Sequence, residues 1–336
     1  MADGFPTPHP QLVSLLQGKL GSLVGKPSGY IEALPEEVKR RINGLKFVQT
    51  QHTKLEARFQ EEILALEKKY LELYKPLYDK RSKIVQGELE PSEEEVEVGR
   101  KVDGPEQPAT TNGVKISEVV DGPVKGIPEF WLTALKNLYT ISETITDRDE
   151  ACLKHLIDIR MAYLEKPGFR LDFEFEENPF FTNRILTKTY YYQDEPGYGG
   201  DFVYDHAEGT SINWKEGKAL NLMTETKKQK HKETKETRIV TKTVRAETFF
   251  DFFSPPIVPD TDDAAEEDED LDERLEADYQ MGEDIKEKLI PRAIDWYTGK
   301  ALQYEEVIED DYEEDFHVGK KQNGKGGTNP PECKQQ

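Results

Sequence analysis

Carboxylates are the side chains whose number and spacing in this sequence could do chemistry. Residues 260–278 hold 12 Asp or Glu and one cation, Arg274. A catalytic acid and base form one defined pair with different pKa values, and a run this dense singles out no such pair. Dense carboxylates also attract basic proteins, which is the interpretation that we favour here. The plainer alternative is a solvated acidic run that only keeps the protein in solution.

Other catalytic arrangements are missing from the sequence. It contains no glycine-rich phosphate loop, no G-x-S-x-G nucleophile motif and no H-E-x-x-H zinc motif. Cys152 and His155 lie one helical turn apart, but a metal site needs more ligands nearby, so we interpret both as core-facing or incidental. We therefore expect no catalytic residue, no metal, no cofactor and no enzymatic activity. An unrelated α/β hydrolase is disfavoured.

The negative charge is concentrated towards the C-terminus. The net charge is −22, and residues 260–318 carry 24 acids against 5 Lys or Arg, whereas residues 1–90 sum to +2. Such a field repels phosphates, so direct and tight nucleic-acid binding is not expected. Two cysteines define no disulfide framework, and no apolar run approaches the ~18 residues of a membrane span. We expect a soluble protein of a reducing, intracellular compartment.

The longest element that the sequence predicts is a helix over residues 36–87, opened by Pro35. Apolar or semi-apolar residues recur there every three or four positions, over about six heptads. At ~1.5 Å per residue the helix would be about 75 Å long, which is too long for a small core to cover its stripe. No second stripe of this length exists in the sequence, so we predict a homodimer. A helix packed on its own domain is the alternative. The predicted dimer-interface residues are Val38, Ile42, Leu45, Val48, Leu55, Phe59, Ile63, Leu66, Tyr70 and Leu73.

The remaining sequence predicts a mixed helical and extended region. A linker or small insertion is expected at 91–126, followed by two helices within 127–166, of which the second runs from Asp149 through Met161. Residues 247–253 predict a short apolar helix that ends before two prolines.

Strands are predicted where apolar and polar residues alternate. Residues 169–175, which read FRLDFEF, fit this pattern, and residues 185–192 predict a strand because they are rich in β-forming residues. Residues 218–226 and 237–245 flank the polar stretch KKQKHKETKE and predict a long antiparallel hairpin. A further helix is predicted over 271–292.

Five strings follow one another along the chain in a characteristic order. They are LEKKYLELYKPLYDKRSKIVQG (66–87), GIPEFWLTALKN (126–137), NPFFTNRILTKTY (178–190), FFDFFSPP (249–256) and KLIPRAIDWYTGKAL (288–302). Over roughly residues 20–302 the sequence thus resembles the nucleosome assembly protein family. The resemblance implies an α+β fold with a long dimerisation helix and an α/β domain whose small antiparallel sheet lies under helices. It also implies an ATP-independent histone chaperone that shields core histones from non-specific DNA contacts and promotes nucleosome assembly. The alternative is an acidic regulatory scaffold or phosphatase inhibitor of a related branch of the family.

The charge distribution, the apolar periodicity and the family resemblance together predict a domain layout and a set of histone-binding residues. The layout is a flexible arm (1–34), the dimerisation helix (35–90), a linker or accessory insertion (91–126), a histone-binding α/β domain (127–302) with a basic hairpin (218–245), and a disordered acidic tail (303–336). The predicted histone-binding residues are Glu174, Glu176, Glu177, Asp194, Glu195, Asp201, Asp205, Glu266, Glu267, Asp268, Glu269, Asp270, Asp272, Glu273, Glu276, Asp278, Tyr304, Glu305, Glu306 and Tyr312. Because the acidic tail is shorter than in many members of this family, we expect the folded domain to carry more of the binding.

Short motifs predict targeting to the nucleus and the cytoplasm. A basic cluster in the hairpin favours recognition by a nuclear import receptor, although a solvated hairpin tip is the alternative. Ile42, Leu45 and Val48 have the hydrophobic spacing of an export signal, yet they also belong to the predicted dimer stripe. Cys333 stands at the position of a prenylation box, but the residues after it are not aliphatic. The predicted import residues are Lys227, Lys228, Lys230, His231 and Lys232.

Overall fold

A computed structural model describes residues 30–102, 124–230, 237–257 and 270–303. These residues form two compact units. One contains the described residues up to Glu62 together with Pro196–Asp201, and the other contains the rest. Nearly all of the predicted tail and of the predicted N-terminal arm lies outside the described residues. The helices are α1 (Glu36–Val85), α2 (Glu93–Val102), α3 (Phe130–Asn137), α4 (Tyr139–Ser142), α5 (Asp147–Leu153), a 3₁₀ helix (Phe249–Phe253), α6 (Leu271–Asp284), a π-helix (Ile285–Leu289) and α7 (Ala293–Thr298). The strands are β1 (Leu156–Tyr163), β2 (Gly168–Phe175), β3 (Ile185–Tyr192), β4 (Tyr204–Gly209), β5 (Leu222–Lys230) and β6 (Thr237–Arg245).

The long predicted helix is present as α1, which is 50 residues long. Pro35 lies just before it and accepts hydrogen bonds from Val38 N at 2.9 Å and Lys39 N at 3.1 Å. Pro76 lies inside the helix without ending it. The helix ends near Gly87, whose φ of 67° is a left-handed conformation that glycine adopts without steric cost. The predicted α+β fold class, with a long helix and a small antiparallel sheet, is confirmed.

The predicted linker at 91–126 contains a helix that we did not expect. Ser92 and Glu95 begin α2 as a reciprocal capping box, in which Ser92 N donates to Glu95 Oε2 at 3.0 Å and Glu95 N donates to Ser92 Oγ at 3.3 Å. The chain returns to the end of α1 where Ile127 N donates to Val85 O at 2.8 Å. Both ends of this insertion therefore meet at one point of the fold.

The prediction that a second helix runs from Asp149 through Met161 is wrong. The helix α5 ends at Leu153, and β1 begins at Leu156. The apolar residues of β1 fit a helical and a strand periodicity equally well over so short a span. The segment is a strand because it pairs with β2 in an antiparallel arrangement.

The sheet has the order β1-β2-β3-β4, and all of its neighbours are antiparallel. In β2 the residues Phe169, Leu171 and Phe173 face the core, while Arg170 and Asp172 alternate with them on the other face, as the sequence pattern predicts. The strand β4 was not predicted. The strands β5 and β6 form the predicted hairpin, although β5 extends further towards the tip than expected.

The core of the second unit lies between the sheet and the helices that follow it. Four phenylalanines of the 3₁₀ helix are buried, and the ring of Phe253 meets that of Phe173 edge-on at 5.2 Å. Trp131 from α3 and Trp296 from α7 are also fully buried. This core fixes both the sheet and the acidic helix α6 that carries predicted binding residues.

Candidate partner-binding surfaces

The apolar stripe of α1 is largely left uncovered by the residues that the structure describes. Over its whole length α1 buries only Leu71, Ser82 and Val85. Leu55 is 68% exposed and Leu66 is 52% exposed, and most other predicted interface residues are similarly accessible. Val38, Ile42 and Ile63 are partly buried. Water-exposed leucines at helical spacing are costly, so this stripe has the character of an interface rather than of a solvated face.

The first turns of α6 present carboxylates to solvent. Asp270, Asp272, Glu273 and Glu276 are exposed. Asp272 and Glu273 lie in the first turn, where negative charge is favoured by the helix dipole. The predicted residues Glu266, Glu267, Asp268, Glu269, Tyr304, Glu305, Glu306 and Tyr312 lie outside the described residues.

Several predicted acids near the sheet take part in local ion pairs. Asp194 pairs with Lys166 at 3.0 Å, and Glu174 pairs with Arg184 at 3.1 Å. Each pair has an exposed member and contributes only ~0–1 kcal/mol, so it is easily exchanged for another cation. The accompanying accessible acids are Glu176, Glu177, Glu195 and Asp205, with Asp201 in the first unit.

Asp278 differs from the other predicted acids because it faces the core. Its side chain is 9% exposed, and its Oδ1 accepts from Lys188 Nζ at 2.6 Å. Burial lowers the pKa of Lys188 to about 8, although Asp278 opposes that shift, and burial also raises the pKa of Asp278. The sequence contains a signal for the burial of Lys188, because this residue stands between Leu186 and Tyr190 on the core-facing side of β3, but it contains no signal for its partner. Asp278 is therefore not accessible to a partner in the way that its exposed neighbours are.

A second buried charge cluster, which we did not predict, lies where the end of α1 packs within the second unit. Arg81 Nη1 donates to Ile290 O at 2.5 Å, and its guanidinium lies 5.1 Å from the ring of Trp131. Buried Asp158 accepts from Arg160 Nε at 2.6 Å. Burial lowers the pKa of Arg81 and raises that of Asp158, and each group partly opposes the shift of the other. The cluster holds this end of α1 against the sheet.

Cys152 is fully buried, and burial raises the pKa of its thiol. Nearby His155 Nδ1 lies 2.9 Å from Glu176 Oε1. Within the described ranges, no three His, Cys, Asp or Glu side chains converge as metal ligands would. Among the described helices, none combines the length and the apolar content that crossing a bilayer requires.

Three residues of the predicted basic cluster fall on the hairpin. Lys227, Lys228 and Lys230 lie on β5, with backbones paired to β6. His231 and Lys232 lie outside the described residues, as does Cys333.

Comparisons with known proteins agree on one family. The profile described as Nucleosome assembly protein (NAP) matches residues 40–300. Nucleosome assembly protein 1 of Candida albicans is 47% identical over 333 residues, covering 90% of this chain and 77% of its own. Nucleosome assembly protein 1-like 1 of Xenopus tropicalis is 43% identical, with 98% and 88% covered. The structure of nucleosome assembly protein 1 from Plasmodium knowlesi has a TM-score of 0.51 and 32% identity, covering 79% of this chain and 98% of its own.

The long helix, the small antiparallel sheet and these matches define one class of protein. The chain belongs to the nucleosome assembly protein family. Its relatives named above are of the nucleosome assembly protein 1 type, which is the type that this chain is similar to.

Proposed function

We propose that this chain is an ATP-independent chaperone of core histones. It holds them through acidic surfaces, shields them from non-specific DNA contacts and promotes nucleosome assembly. The observation that carries the proposal is the family match across residues 40–300. The exposed carboxylates of α6 and of the sheet region support it, because histones are rich in Lys and Arg.

The proposed mechanism is competition for the histone. A single exposed ion pair contributes only ~0–1 kcal/mol, so affinity arises from many carboxylates acting together. Such binding weakens with salt, since the Debye length falls from about 10 Å at 0.1 M to about 3 Å at 1 M. Binding keeps the concentration of free histone low. DNA therefore takes the histone from the chaperone only when it forms the tighter, correct complex. No step in this exchange consumes ATP.

We also propose that the active form is a homodimer joined along α1. The support is the uncovered apolar stripe, represented by Leu55 and Leu66. A second copy supplies a stripe of the same length and spacing, as a symmetric interface requires. Such a dimer brings two sets of acidic surfaces to one histone complex, so binding gains from effective concentration.

Shuttling between nucleus and cytoplasm completes the proposal. The basic residues of the hairpin, including Lys227 and Lys228, are the proposed binding site for an import receptor. Appending residues 218–245 to a fluorescent protein tests this role directly, because the fusion should accumulate in nuclei. A hairpin with these lysines changed to alanine is the matched control.

Titration of the purified chain with core histones tests the main proposal. At moderate salt we expect submicromolar binding, and a Kd of about 1 μM or weaker contradicts it. The variant D272N/E273Q/E276Q keeps the shape of α6 while removing three charges, so it should bind more weakly. Plasmid supercoiling with purified histones and no ATP then measures assembly.

A further inference from the structure

The two edges of the four-stranded sheet have different surroundings. Along the β1 edge lies the second half of α1, where Tyr163 OH donates to Glu67 at 3.1 Å and Lys68 Nζ donates to Leu164 O at 2.8 Å. Beyond β4, no further strand pairs within the described part of the chain. An uncovered strand edge offers backbone donors and acceptors to another extended segment.

The register identifies which backbone groups are offered. Thr210 N donates to Thr187 O at 2.9 Å, and Tyr190 lies opposite Ala207 in the β3–β4 ladder. Antiparallel ladders alternate between bonded and non-bonded pairs, so the N–H and C=O of Ala207 point away from β3. Neither of these groups bonds to another backbone group among the described residues. The available edge is therefore centred on Ala207.

The charge beside this edge selects the kind of segment that fits it. Residues 202–209 hold two acids, Asp205 and Glu208, and no Lys or Arg. The Asp205 side chain is 49% exposed, and among the described residues it pairs with neighbouring His206 at 2.6 Å. A second copy of β4 would bring the same negative charges and be repelled, whereas a Lys- or Arg-rich segment would be attracted.

We propose that the β4 edge receives an extended, Lys- or Arg-rich segment of a basic protein, which adds as a fifth strand beside Ala207. This inference rests on the proposed function, because the histone is the basic partner there. Main-chain hydrogen bonds to Ala207 set the register of the added segment. Asp205 and Glu208 then make the edge selective for basic chains.

The first test uses a synthetic peptide of alternating Lys and Thr as the probe. Ala207→Pro removes the outward N–H without removing a bond to β3, and edge strands tolerate proline at such a position. We expect it to weaken peptide binding about tenfold, the effect of losing one or two hydrogen bonds. Ala207→Val keeps the N–H and is the matched control, which should bind within about twofold of the wild type.

Amide hydrogen exchange of the wild-type chain keeps the proposal testable even if the proline variant folds poorly. Peptide binding should slow hydrogen exchange at the amide of Ala207. Exchange at the amide of His206 should not change, because that amide already faces β3. Equal binding to both variants, or no slowing at Ala207, overturns the proposal. A change of oligomeric state in Ala207→Pro with unchanged peptide binding would mean that a second copy occupies the edge, which also overturns it. Failure of core histones to bind the wild type would instead contradict the proposed function.

Discussion

Replacing Lys188 with methionine should strongly destabilise the second unit. The lysine Nζ is fully buried and bonds to both Asp278 Oδ1, at 2.6 Å, and Phe252 O, at 2.7 Å. Asp278 Oδ2 has no partner among the described groups, so Lys188 is its principal compensation. Lys188→Met keeps the length of the side chain and leaves the Asp278 carboxylate buried without a cation.

The expected loss follows from the burial of the pair. Removing one partner of a buried ion pair costs about 3–5 kcal/mol, since the remaining charge is uncompensated. Replacing both residues, as in K188M/D278L, removes the charge as well and should cost no more than about 2 kcal/mol, mainly from the unpaired carbonyl of Phe252.

The pair also predicts how stability depends on pH. The pKa of Lys188 falls from 10.5 to about 8 on folding. Between these values the unfolded chain binds the proton and the folded chain does not, so stability rises with pH through this window. This gain does not conflict with the loss in Lys188→Met, because the neutral amine still donates to Asp278 and to Phe252 O, whereas methionine has no donor. Relative to K188M/D278L, the wild type should therefore gain stability from pH 8 to 10.5, by an amount on the order of 3 kcal/mol.

Urea unfolding followed by circular dichroism, at one fixed protein concentration, measures these differences. We expect a large drop in the free energy of unfolding for Lys188→Met at pH 7 and a substantial recovery in the double variant. A single variant within about 1 kcal/mol of the wild type would show that the buried pair contributes little, and would refute the reasoning. If the double variant is as unstable as the single one, the lost free energy of unfolding comes from packing rather than from the unpaired charge.

Three further predictions test other parts of the fold. Leu55→Glu with Leu66→Glu should give monomers in sedimentation, because each leucine would lose about 1.5–3 kcal/mol of burial in a dimer; a dimeric variant contradicts the proposed interface. Gly282→Ala should lower the thermal midpoint by several degrees, because its Cβ would meet the ring of Tyr190 within about 2.5 Å, and an unchanged midpoint would show that the ring moves freely. Replacing residues 88–125 with a short Gly–Ser loop should change the free energy of unfolding by only about 1 kcal/mol, since the ends of the insertion already meet, and a large loss in urea unfolding would argue against an independent insertion.

The parts of the fold that the sequence predicts well are the segments with a clear apolar pattern or composition. The helix α1 repeats its apolar spacing over 50 residues, β2 alternates and β3 is rich in β-forming residues, so local composition and tertiary structure agree. Segments with weaker patterns were missed. The strand β1 has apolar residues that fit a helix equally well, and β4 has too few apolar residues to show an alternation.

The candidate site was only partly predictable for a related reason. Exposed acids such as Asp272 follow from charge alone, because no specific partner is needed to place them on the surface. The pairing of Lys188 with Asp278 joins positions 90 residues apart, and a sequence pattern does not reveal which residues meet over such a separation. Asp278 looked like its exposed neighbours in the acidic run for the same reason.

Carboxylate-to-amine crosslinking of the histone-bound chain tests the central claim most directly. A zero-length reagent joins a carboxylate only to a lysine in contact with it, and mass spectrometry then identifies both residues. We predict crosslinks from histone lysines to Asp272, Glu273 and Glu276 on the folded domain, lost at high salt. Crosslinks confined to residues 304–336, with none on α6, would contradict the account.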